Sequence, residues 1–309
     1  PPFATERVWV RDAEGVEIWV VAIKGSFRVD PDGCVSVAPD PVDICRAPLF
    51  YGDAETSSLR YDTDLVRCRK GTDVILNGHA HAPGGEATRR MDVRMRVGAL
   101  SKTLRVFGDR RWHRALSGLK ASEPQPFTTM PIRYERAFGG RLSASNPVGT
   151  GMGHRSANFD GMLLPNVENP TALITSWSDR PGPAGFGPIP GHWSPRKEFA
   201  GTFDERWMRE RQPLLPHDFD DRYYQSAPAD QQVPGGLLGG EPVELVGLTE
   251  EARLCFELPR VRLGVDAHFF SGRTVAQRVS IHSVIFEPET RSVVMVWHSA
   301  LACHHDAHQ

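Results

Sequence analysis

The residue types best suited to catalysis or metal binding are concentrated near position 218. His217, Asp218 and Asp220 lie within four positions of one another, and a histidine beside paired carboxylates could hold a divalent cation or carry out general acid–base chemistry. The cluster lacks the glycine-spaced loop of an EF-hand. Its carboxylates could also accept backbone N–H bonds, pair with an arginine and fix the loop. Loop architecture is the favoured interpretation, and a metal-dependent hydrolase using these three residues is the alternative.

Two groups of histidines have the composition of metal sites. His79 and His81 form an H-x-H pair whose side chains would share one face of a strand, and such a pair can bind zinc or copper. No third ligand is evident, so surface or packing histidines are the favoured interpretation. The second group stands at the end of the given sequence, where residues commonly fray and bind metals adventitiously. Its members are Cys303, His304, His305, Asp306 and His308. We therefore predict no metal and no cofactor.

Motifs for nucleophilic catalysis and for phosphate binding are missing from the sequence. Residues 149–153 read GTGMG, which is neither G-x-G-x-x-G nor G-x-x-x-x-G-K-[ST]. There is no G-x-S-x-G elbow, and the five cysteines include no C-x-x-C pair. An odd number of cysteines without such a pair indicates reduced thiols and a cytoplasmic protein. The sequence predicts a protein that is not an enzyme.

Charge is balanced over the whole chain but separated along it. Thirty-six Lys and Arg against 38 Asp and Glu give a net charge of −2, so no overall field selects nucleic acid or an anionic membrane. Residues 89–120 carry ten basic and two acidic side chains, and residues 204–251 carry eleven acids and four arginines. These two segments either face each other or solvate two surfaces, and the alternative is a polarised surface that steers a protein partner. The longest apolar run, residues 18–23, is far too short to span a membrane.

The two ends of the chain have the patterns of β-strands. Met91, Val93, Met95 and Val97 alternate with charged residues, which is typical of a half-buried strand. Gly98 would then lie in a hairpin turn to the next strand. Further strands are predicted at residues 16–29, 73–80, 101–107, 253–258, 273–286 and 292–298. We therefore predict a mostly-β fold in which N- and C-terminal strands build packed, sandwich-like antiparallel sheets.

The middle of the chain has a different composition. Proline and glycine interrupt residues 123–240 every few positions, yet aromatic residues are frequent there, which indicates ordered loops packed by their own side chains. One short helix is predicted, with Thr202 as N-cap and Glu205 completing a capping box. Phe203 and Trp207 would share a face, and Pro213 would prevent continuation. The regions 1–122, 123–240 and 241–309 are expected to form one integrated domain with one or two short helices.

Several phrases together resemble a known bacterial family, the domain-of-unknown-function family 2169 (DUF2169). They run from near the start of the chain to at least residue 240. The phrases are VVAIKGSFRVDPDG, SSLRYDTDLV, KGTDVILNGHAHAPGG, LRVFGDRRW, PFTTMPIRYERAFGG, NPVGTG, LLPNVENP, PAGFGPIPGHWSPR and AGTFDERWMRERQPLLPHDFDDRYYQSAPADQ. The histidine-rich end of the sequence departs from the family pattern, and no role is assigned to it.

The resemblance implies a cytoplasmic, non-catalytic adaptor or chaperone that binds a type VI secretion effector and aids its loading onto the secretion spike. A PAAR-type tip protein or a VgrG spike protein would be a further partner. A permanent structural component of the secretion apparatus is a second alternative, beside the metal-dependent hydrolase. Within the central segment, aromatic and arginine residues of these phrases are predicted to contact the protein partner. They are Arg136, Phe138, Phe186, Trp193, Arg196 and Trp207.

Overall fold

The computed structural model describes residues 2–116, 118–153 and 158–303. It is mostly β, with 40% of residues in strands and 9% in helices, which confirms the predicted fold class. The histidine cluster at residues 304–308 lies outside the described residues. In the first part of the chain the strands are β1 (Phe3–Arg11), β2 (Glu17–Val29), β3 (Val35–Val37), β4 (Leu49–Phe50), β5 (Leu59–Tyr61), β6 (Gly71–Leu76), β7 (His79–His81), β8 (Arg90–Val97), β9 (Leu100–Phe107), β10 (Trp112–Ala115), β11 (Gly118–Ala121) and β12 (Thr129–Pro131).

The remaining strands and the helical elements follow in the second part of the chain. The strands are β13 (Phe138–Gly139), β14 (Thr150–Gly151), β15 (Val167–Glu168), β16 (Gln232–Pro234), β17 (Pro242–Val246), β18 (Arg253–Glu257), β19 (Val265–His268), β20 (Thr274–Gln277), β21 (Ser280–Glu287) and β22 (Ser292–Cys303). The α-helix described is α1 (Glu205–Glu210), and 3-10 turns lie at Pro83–Gly85, Tyr134–Arg136, Arg196–Phe199, Asp221–Tyr224, Ala229–Gln231 and Pro288–Thr290.

A seven-stranded sheet joins the two ends of the chain. Its order is β1-β2-β22-β21-β6-β16, with β3 also paired to β2. The long strands β2 and β22 pair antiparallel from Glu17 opposite Cys303 to Arg28 opposite Ser292, and the β21–β6 pair is parallel. The last strand is longer than predicted, because it continues past His298. The predicted strand at 273–286 is instead two strands, β20 and β21, which end and begin at Gln277 and Ser280.

A five-stranded antiparallel sheet has the order β15-β9-β8-β17-β18. Strands β8 and β9 form the predicted hairpin, with Val97 opposite Leu100 and a two-residue turn that begins at Gly98. Strand β17 from the second part of the chain pairs with β8. This pairing brings part of the acidic segment onto the basic one, because Arg94 Nη2 lies 2.8 Å from Glu244 Oε2.

The two sheets share one apolar core. Alternate residues of each strand point into it, since side chains of a strand alternate between faces. Phe286 of the seven-stranded sheet meets Phe256 of the five-stranded sheet with ring centroids 6.0 Å apart. Fully buried core residues include Val74, Val93, Met95, Leu104, Val106, Leu245, Val284 and Met295. The predicted alternation of Val93, Met95 and Val97 is confirmed by their burial.

The central segment forms ordered loops around separate aromatic clusters. Phe138 and Phe159 pack with Trp112 in one cluster, and Tyr134 packs edge-on to Trp193 with ring centroids 5.8 Å apart. This is the packing that the aromatic content indicated. Within the described ranges, no helix has the length and apolar character needed to cross a membrane.

The helix α1 lies where the sequence predicts a helix, but its cap differs. Asp204 is the N-cap, and its Oδ1 accepts a 2.8 Å hydrogen bond from the Trp207 amide. The expected cap, Thr202, lies two residues too early and donates its hydroxyl to Asp218 Oδ2 at 2.7 Å. The assignment of Thr202 was therefore wrong, because a tertiary partner took its side chain. The predicted contact of Phe203 with Trp207 is present, with ring centroids 4.7 Å apart.

Candidate functional site

One edge of the five-stranded sheet is left open where β9 extends beyond its short neighbour β15. Strand β9 pairs with β8 along its whole length, but β15 covers it only at Arg105 and Val106. Continuing that register would place Pro170 opposite Thr103. Proline has no N–H to donate to a ladder, so the pairing ends there. On the side away from β8, residues 101–104 of β9 therefore have no neighbouring strand in the described part of the chain.

The backbone of this open stretch is oriented for pairing. The Phe107 amide donates to Asn166 O at 2.8 Å, which places the polar backbone groups of odd-numbered β9 residues on the side away from β8. Hydrogen-bonded positions alternate along an antiparallel ladder. The N–H and C=O groups of Ser101 and Thr103 consequently point outward, beyond the end of β15.

A groove of about 380 Å³ lies along this edge. One side is strand β9 itself, and the other is built from three separate loops of the central segment. The residues that line it are Ser101, Lys102, Thr103, Leu104, Asn169, Pro170, Thr171, Ala172, Gly182, Pro183, Ala184, Pro228 and Asp230. Three of the nine residues on the loop side are prolines, one in each loop, and these three positions have no backbone N–H to donate to an incoming strand.

A buried cation supports the groove. Lys102 shares the inward-facing row of β9 with apolar Leu104, and its Nζ lies 2.8 Å from Asp230 Oδ1 and 2.7 Å from Gln231 Oε1. Burial lowers the pKa of Lys102, while the nearby Asp230 carboxylate opposes that shift. Gln231 donates in turn to the carbonyl of Phe186 at 2.9 Å. The loop carrying Asp230 is thus attached to strand β9 by a single charged side chain.

A second ion pair positions the opposite wall. Glu168 is almost fully buried against the Arg110 guanidinium, and its Oε2 accepts a 2.8 Å hydrogen bond from the Ile174 amide. Arg110 also lies over the ring of Phe107, 3.8 Å from its centroid. These contacts hold the loop at residues 169–174 in place just after the ladder ends. The position of this wall of the groove is therefore fixed by buried contacts.

Four of the six residues predicted to contact a partner are buried. Phe138, Phe186 and Trp193 are at most 5% exposed, and each belongs to a different packing cluster. Arg196 is also buried, with Nη2 2.8 Å from Asp62 Oδ2 and Nε donating to Tyr223 O at 2.9 Å. In this conformation these side chains hold loops in place, and only Phe186 approaches the groove. Their role as contact residues stays a prediction.

The other two predicted residues are partly exposed. Arg136 retains 38% of its side-chain surface and donates to Asn166 Oδ1 at 3.0 Å. Trp207 lies half-buried on α1, where its indole N–H donates to Leu214 O at 2.8 Å. The structure therefore does not bring the six predicted residues together on one surface.

The acidic cluster near residue 218 makes the contacts of a fixed loop. Both carboxylate oxygens of Asp218 accept bonds from Thr202, at 2.9 and 2.7 Å. Hydrogen bonds from Arg222 lower the pKa of Asp220 to about 2, and His217 is exposed. The contacts of Asp218 with Thr202 and of Asp220 with Arg222 are those expected of carboxylates that fix a loop.

The H-x-H pair also meets a carboxylate. Glu289 Oε1 lies 2.6 Å from His79 Nδ1 and 3.7 Å from His81 Nε2, so the shorter contact is a hydrogen bond. Among residues 2–116, 118–153 and 158–303, no three His, Cys, Asp or Glu side chains are grouped so that they could hold a metal ion.

Comparison with known proteins identifies the family. A protein-family model described as "Uncharacterized protein conserved in bacteria (DUF2169)" matches residues 14–298. The chain belongs to DUF2169. No curated protein matches it, and no solved structure does.

The groove gathers phrases by which the DUF2169 resemblance is recognised. Asn169 and Pro170 end the phrase LLPNVENP, Pro183 begins PAGFGPIPGHWSPR, and Asp230 is the second-last residue of the phrase that ends SAPADQ. Sequence reasoning placed the partner surface on aromatic and arginine residues of these phrases and did not identify the groove between the phrases. One signal was available: Lys102 is a lone cation in the apolar row Leu100, Leu104 and Val106 of an otherwise regular strand.

Proposed function

We propose that this DUF2169 protein is a non-catalytic adaptor or chaperone of the bacterial cytoplasm. It binds a type VI secretion effector and aids the loading of that effector onto the secretion spike, near a PAAR-type tip protein or a VgrG protein. The secretion role rests on the resemblance described above, since the family model itself is described only as uncharacterized. The binding role rests on the geometry of the groove.

The observation that carries the proposal is the open edge of β9 beside the groove. An extended segment that adds to a sheet edge gains main-chain hydrogen bonds whatever its side chains are, and shallow pockets then supply selectivity. Ser101 and Thr103 present the required backbone groups, and the groove beside them is open to an incoming chain. Such a mode suits a chaperone, because it recognises the backbone of a partly folded client.

Strand addition at β9 predicts a specific pattern of variant effects. Thr103→Pro removes the outward-facing N–H without removing a bond to β8, whereas Thr103→Val keeps that N–H and is its matched control. Ala172→Trp fills the groove from the opposite wall, and Ala172→Ser is the control for that position. We expect the amount of effector recovered with each blocking variant to fall at least tenfold, and the amount recovered with each control to stay at the wild-type level.

The measurement is recovery of the effector with the tagged full chain from its own bacterial cytoplasm, quantified by mass spectrometry. Thermal unfolding of each variant is measured in parallel, so that loss of folding is separated from loss of binding. Equal effector recovery by blocking and control variants would contradict binding at the groove. Two results together would contradict the adaptor function itself. No secreted effector would be recovered with the wild-type chain, and a strain that lacks the chain would secrete its effectors normally.

The two alternatives make different predictions. A metal-dependent hydrolase using His217, Asp218 and Asp220 would contain stoichiometric divalent metal and lose activity in Asp218→Ala, but the contacts of these residues give it no support. A structural component would stay in the assembled apparatus, whereas an adaptor is released before firing. Fractionation of assembled and free pools separates these two cases.

A further inference from the structure

Strand β1 is a long and regular edge strand of the seven-stranded sheet. It pairs with β2 without interruption from Phe3 opposite Gly25 to Arg11 opposite Glu17, and in the described residues no strand lies on its other side. The other sheet edges are shorter: β16 has three residues and includes Pro234, β15 has two, and β18 has five. Natural proteins usually shorten, bend or cover such edges because they template pairing with another chain. Strand β1 has no proline, lysine or bulge along its nine residues.

The hairpin that joins β1 to β2 shows which backbone groups face outward. The Asp12 amide donates to Val16 O at 3.1 Å, so even-numbered β1 residues exchange hydrogen bonds with β2. The odd-numbered residues Thr5, Arg7, Trp9 and Arg11 therefore direct their N–H and C=O groups to the free edge. The side chains of these same four residues are exposed and lie in one row, because alternate residues share a face.

This row is self-complementary in one register. An antiparallel pair of identical strands related by a two-fold axis through the sheet places one residue opposite its own copy. If the axis passes at Val8, Arg7 lies opposite Trp9 of the second copy, and Thr5 lies opposite Arg11 of the second copy. Trp9 is 56% exposed and packs edge-on against Trp19. The guanidinium of Arg7 from the second copy can therefore stack on the exposed Trp9 ring in a cation–π contact.

The neighbouring registers are unfavourable. An axis at Arg7 would place two Arg7 side chains opposite each other, and an axis at Glu6 would do the same with two carboxylates. Like charges directly opposite on a sheet are destabilising. Among registers that overlap seven or more residues of β1, the axis at Val8 is the one without such a pair.

We propose that the free edge of β1 binds a second copy of this chain, forming a two-fold dimer whose seven-stranded sheets become continuous through a β1–β1 ladder. Arg7 and Trp9 of each copy pair across the axis, and the outward N–H and C=O groups of the odd-numbered residues are satisfied. This inference does not depend on the proposed effector binding, which takes place at the other sheet.

The register can be tested by cross-linking. Val8 would lie opposite itself in a non-hydrogen-bonded pair, where Cα atoms are about 4.5 Å apart, within the range that a disulfide spans. Under mild oxidation, Val8→Cys is expected to become a disulfide-linked dimer on a non-reducing gel. Val10→Cys is the matched control, since its side chain lies on the same face but opposite Glu6 of the second copy. The unaltered chain gives the background from the five native cysteines.

Light scattering of the unaltered full chain decides the oligomeric state without any variant. We expect a dimer, and at least a tenfold weaker dimer in Arg7→Pro, which removes an outward N–H but no bond to β2. Arg7→Ala retains that N–H and is expected to weaken the dimer less. A chain that is monomeric up to high micromolar concentration, or equal cross-linking of Val8→Cys and Val10→Cys, overturns the proposal. An effector strand that binds a monomeric β1 edge overturns it as well.

Discussion

The two faces of the seven-stranded sheet are built from different chemistry. The inner face is apolar and packs on the second sheet, whereas the outer face carries buried ionisable groups beside a small apolar cluster of Ile75, Ile285 and Val294. On β2, Ile23 points inward and the next residue, Lys24, points outward to Asp64, 2.8 Å away. On β22, Trp297 points inward and His298 outward. Apolar side chains can be packed in many arrangements of similar volume. A buried charge, in contrast, is stable only when it lies next to its partner. The difference teaches that both faces stabilise the sheet, while the ion pairs of the outer face also determine where the loops lie.

The outer charges are attached to the loops that cover them. Besides meeting Lys24, Asp64 Oδ2 accepts a 2.7 Å hydrogen bond from the Cys45 amide. On β6, Asp73 Oδ2 lies 3.3 Å from Arg69 and accepts the amides of Ser226 and Ala227. The loop at Ser226 leads directly to Asp230, which lines the groove. The charged face is therefore linked through the chain to the candidate site.

The largest effect is expected when one member of the buried pair is removed. Lys24→Met leaves the Asp64 carboxylate buried without its cation, and we expect a loss of about 3–5 kcal/mol in the free energy of unfolding. Replacing both residues, as Lys24→Met with Asp64→Leu, should cost much less than the sum of the single changes. Denaturant unfolding of the four proteins in a double-mutant cycle gives the result. A single variant within about 1 kcal/mol of wild type would show that the pair is not desolvated as described.

Truncation of Met95, on β8 of the five-stranded sheet, tests the apolar core against which the inner face packs. Met95 is fully buried, and Met95→Ala is expected to lower the free energy of unfolding by about 2–5 kcal/mol. Met95→Leu conserves volume and should cost less than about 1.5 kcal/mol. Hydrogen exchange should show the loops near Ser226 still protected in Met95→Ala but opened in Lys24→Met. Equal exchange in the two variants would remove the distinction between the faces.

Acid is expected to destabilise the outer face through two histidines. His282 and His298 lie with ring centroids 3.9 Å apart, and burial together with the nearby Arg69 lowers the pKa of both, that of His298 to about 3. Because these folded-state pKa values lie below the unfolded value of about 6.5, the stabilising contribution is complete above pH 6.5 and is lost as pH falls toward 3. The slope is about 1.4 kcal/mol per pH unit for each histidine.

The control for this pH dependence is His298→Asn, compared with wild type between about pH 6.5 and 5, above the range in which most carboxylates titrate. The variant should lose part of the slope, whatever its absolute stability. Identical slopes in the two proteins would mean that His298 titrates normally and is not buried as a neutral group.

The smallest effect is expected far from both faces, at the cap of α1. Asp204→Ala should cost about 1 kcal/mol of local helix stability, while Thr202→Ala should disturb the loop at Asp218 without removing the cap. Fluorescence of the protein during unfolding, together with amide exchange at Trp207, measures the two effects. A larger change in Trp207 exchange from Thr202→Ala than from Asp204→Ala would restore Thr202 as the cap.

Local patterns predicted strand β8, which has one buried and one exposed face, but they missed β1, whose burial also alternates. Residues 91–97 alternate, and they form β8 with the expected residues inside. The patterns also missed the end of β22, which continues past His298 into residues 300–302, where the strand is no longer buried on both faces. They did not indicate that Phe138, Trp193 and Arg196, which are predicted to contact a partner, are buried in this fold. Aromatic and arginine side chains in loops can serve a partner or the loop itself, and composition does not distinguish the two.

The sequence by itself determined that this chain makes antiparallel sheets at both ends with ordered, aromatic loops between them, because alternation and proline placement act over a few neighbouring residues. Only the tertiary structure decided which strands become neighbours, such as β2 with β22 and the parallel pair β6 with β21. It also decided that Pro170 stops β15 opposite Thr103, opening the groove, and that β1 has no second neighbour among the described strands. Edges, grooves and buried ion pairs arise from segments that are far apart along the chain, so no local pattern contains them.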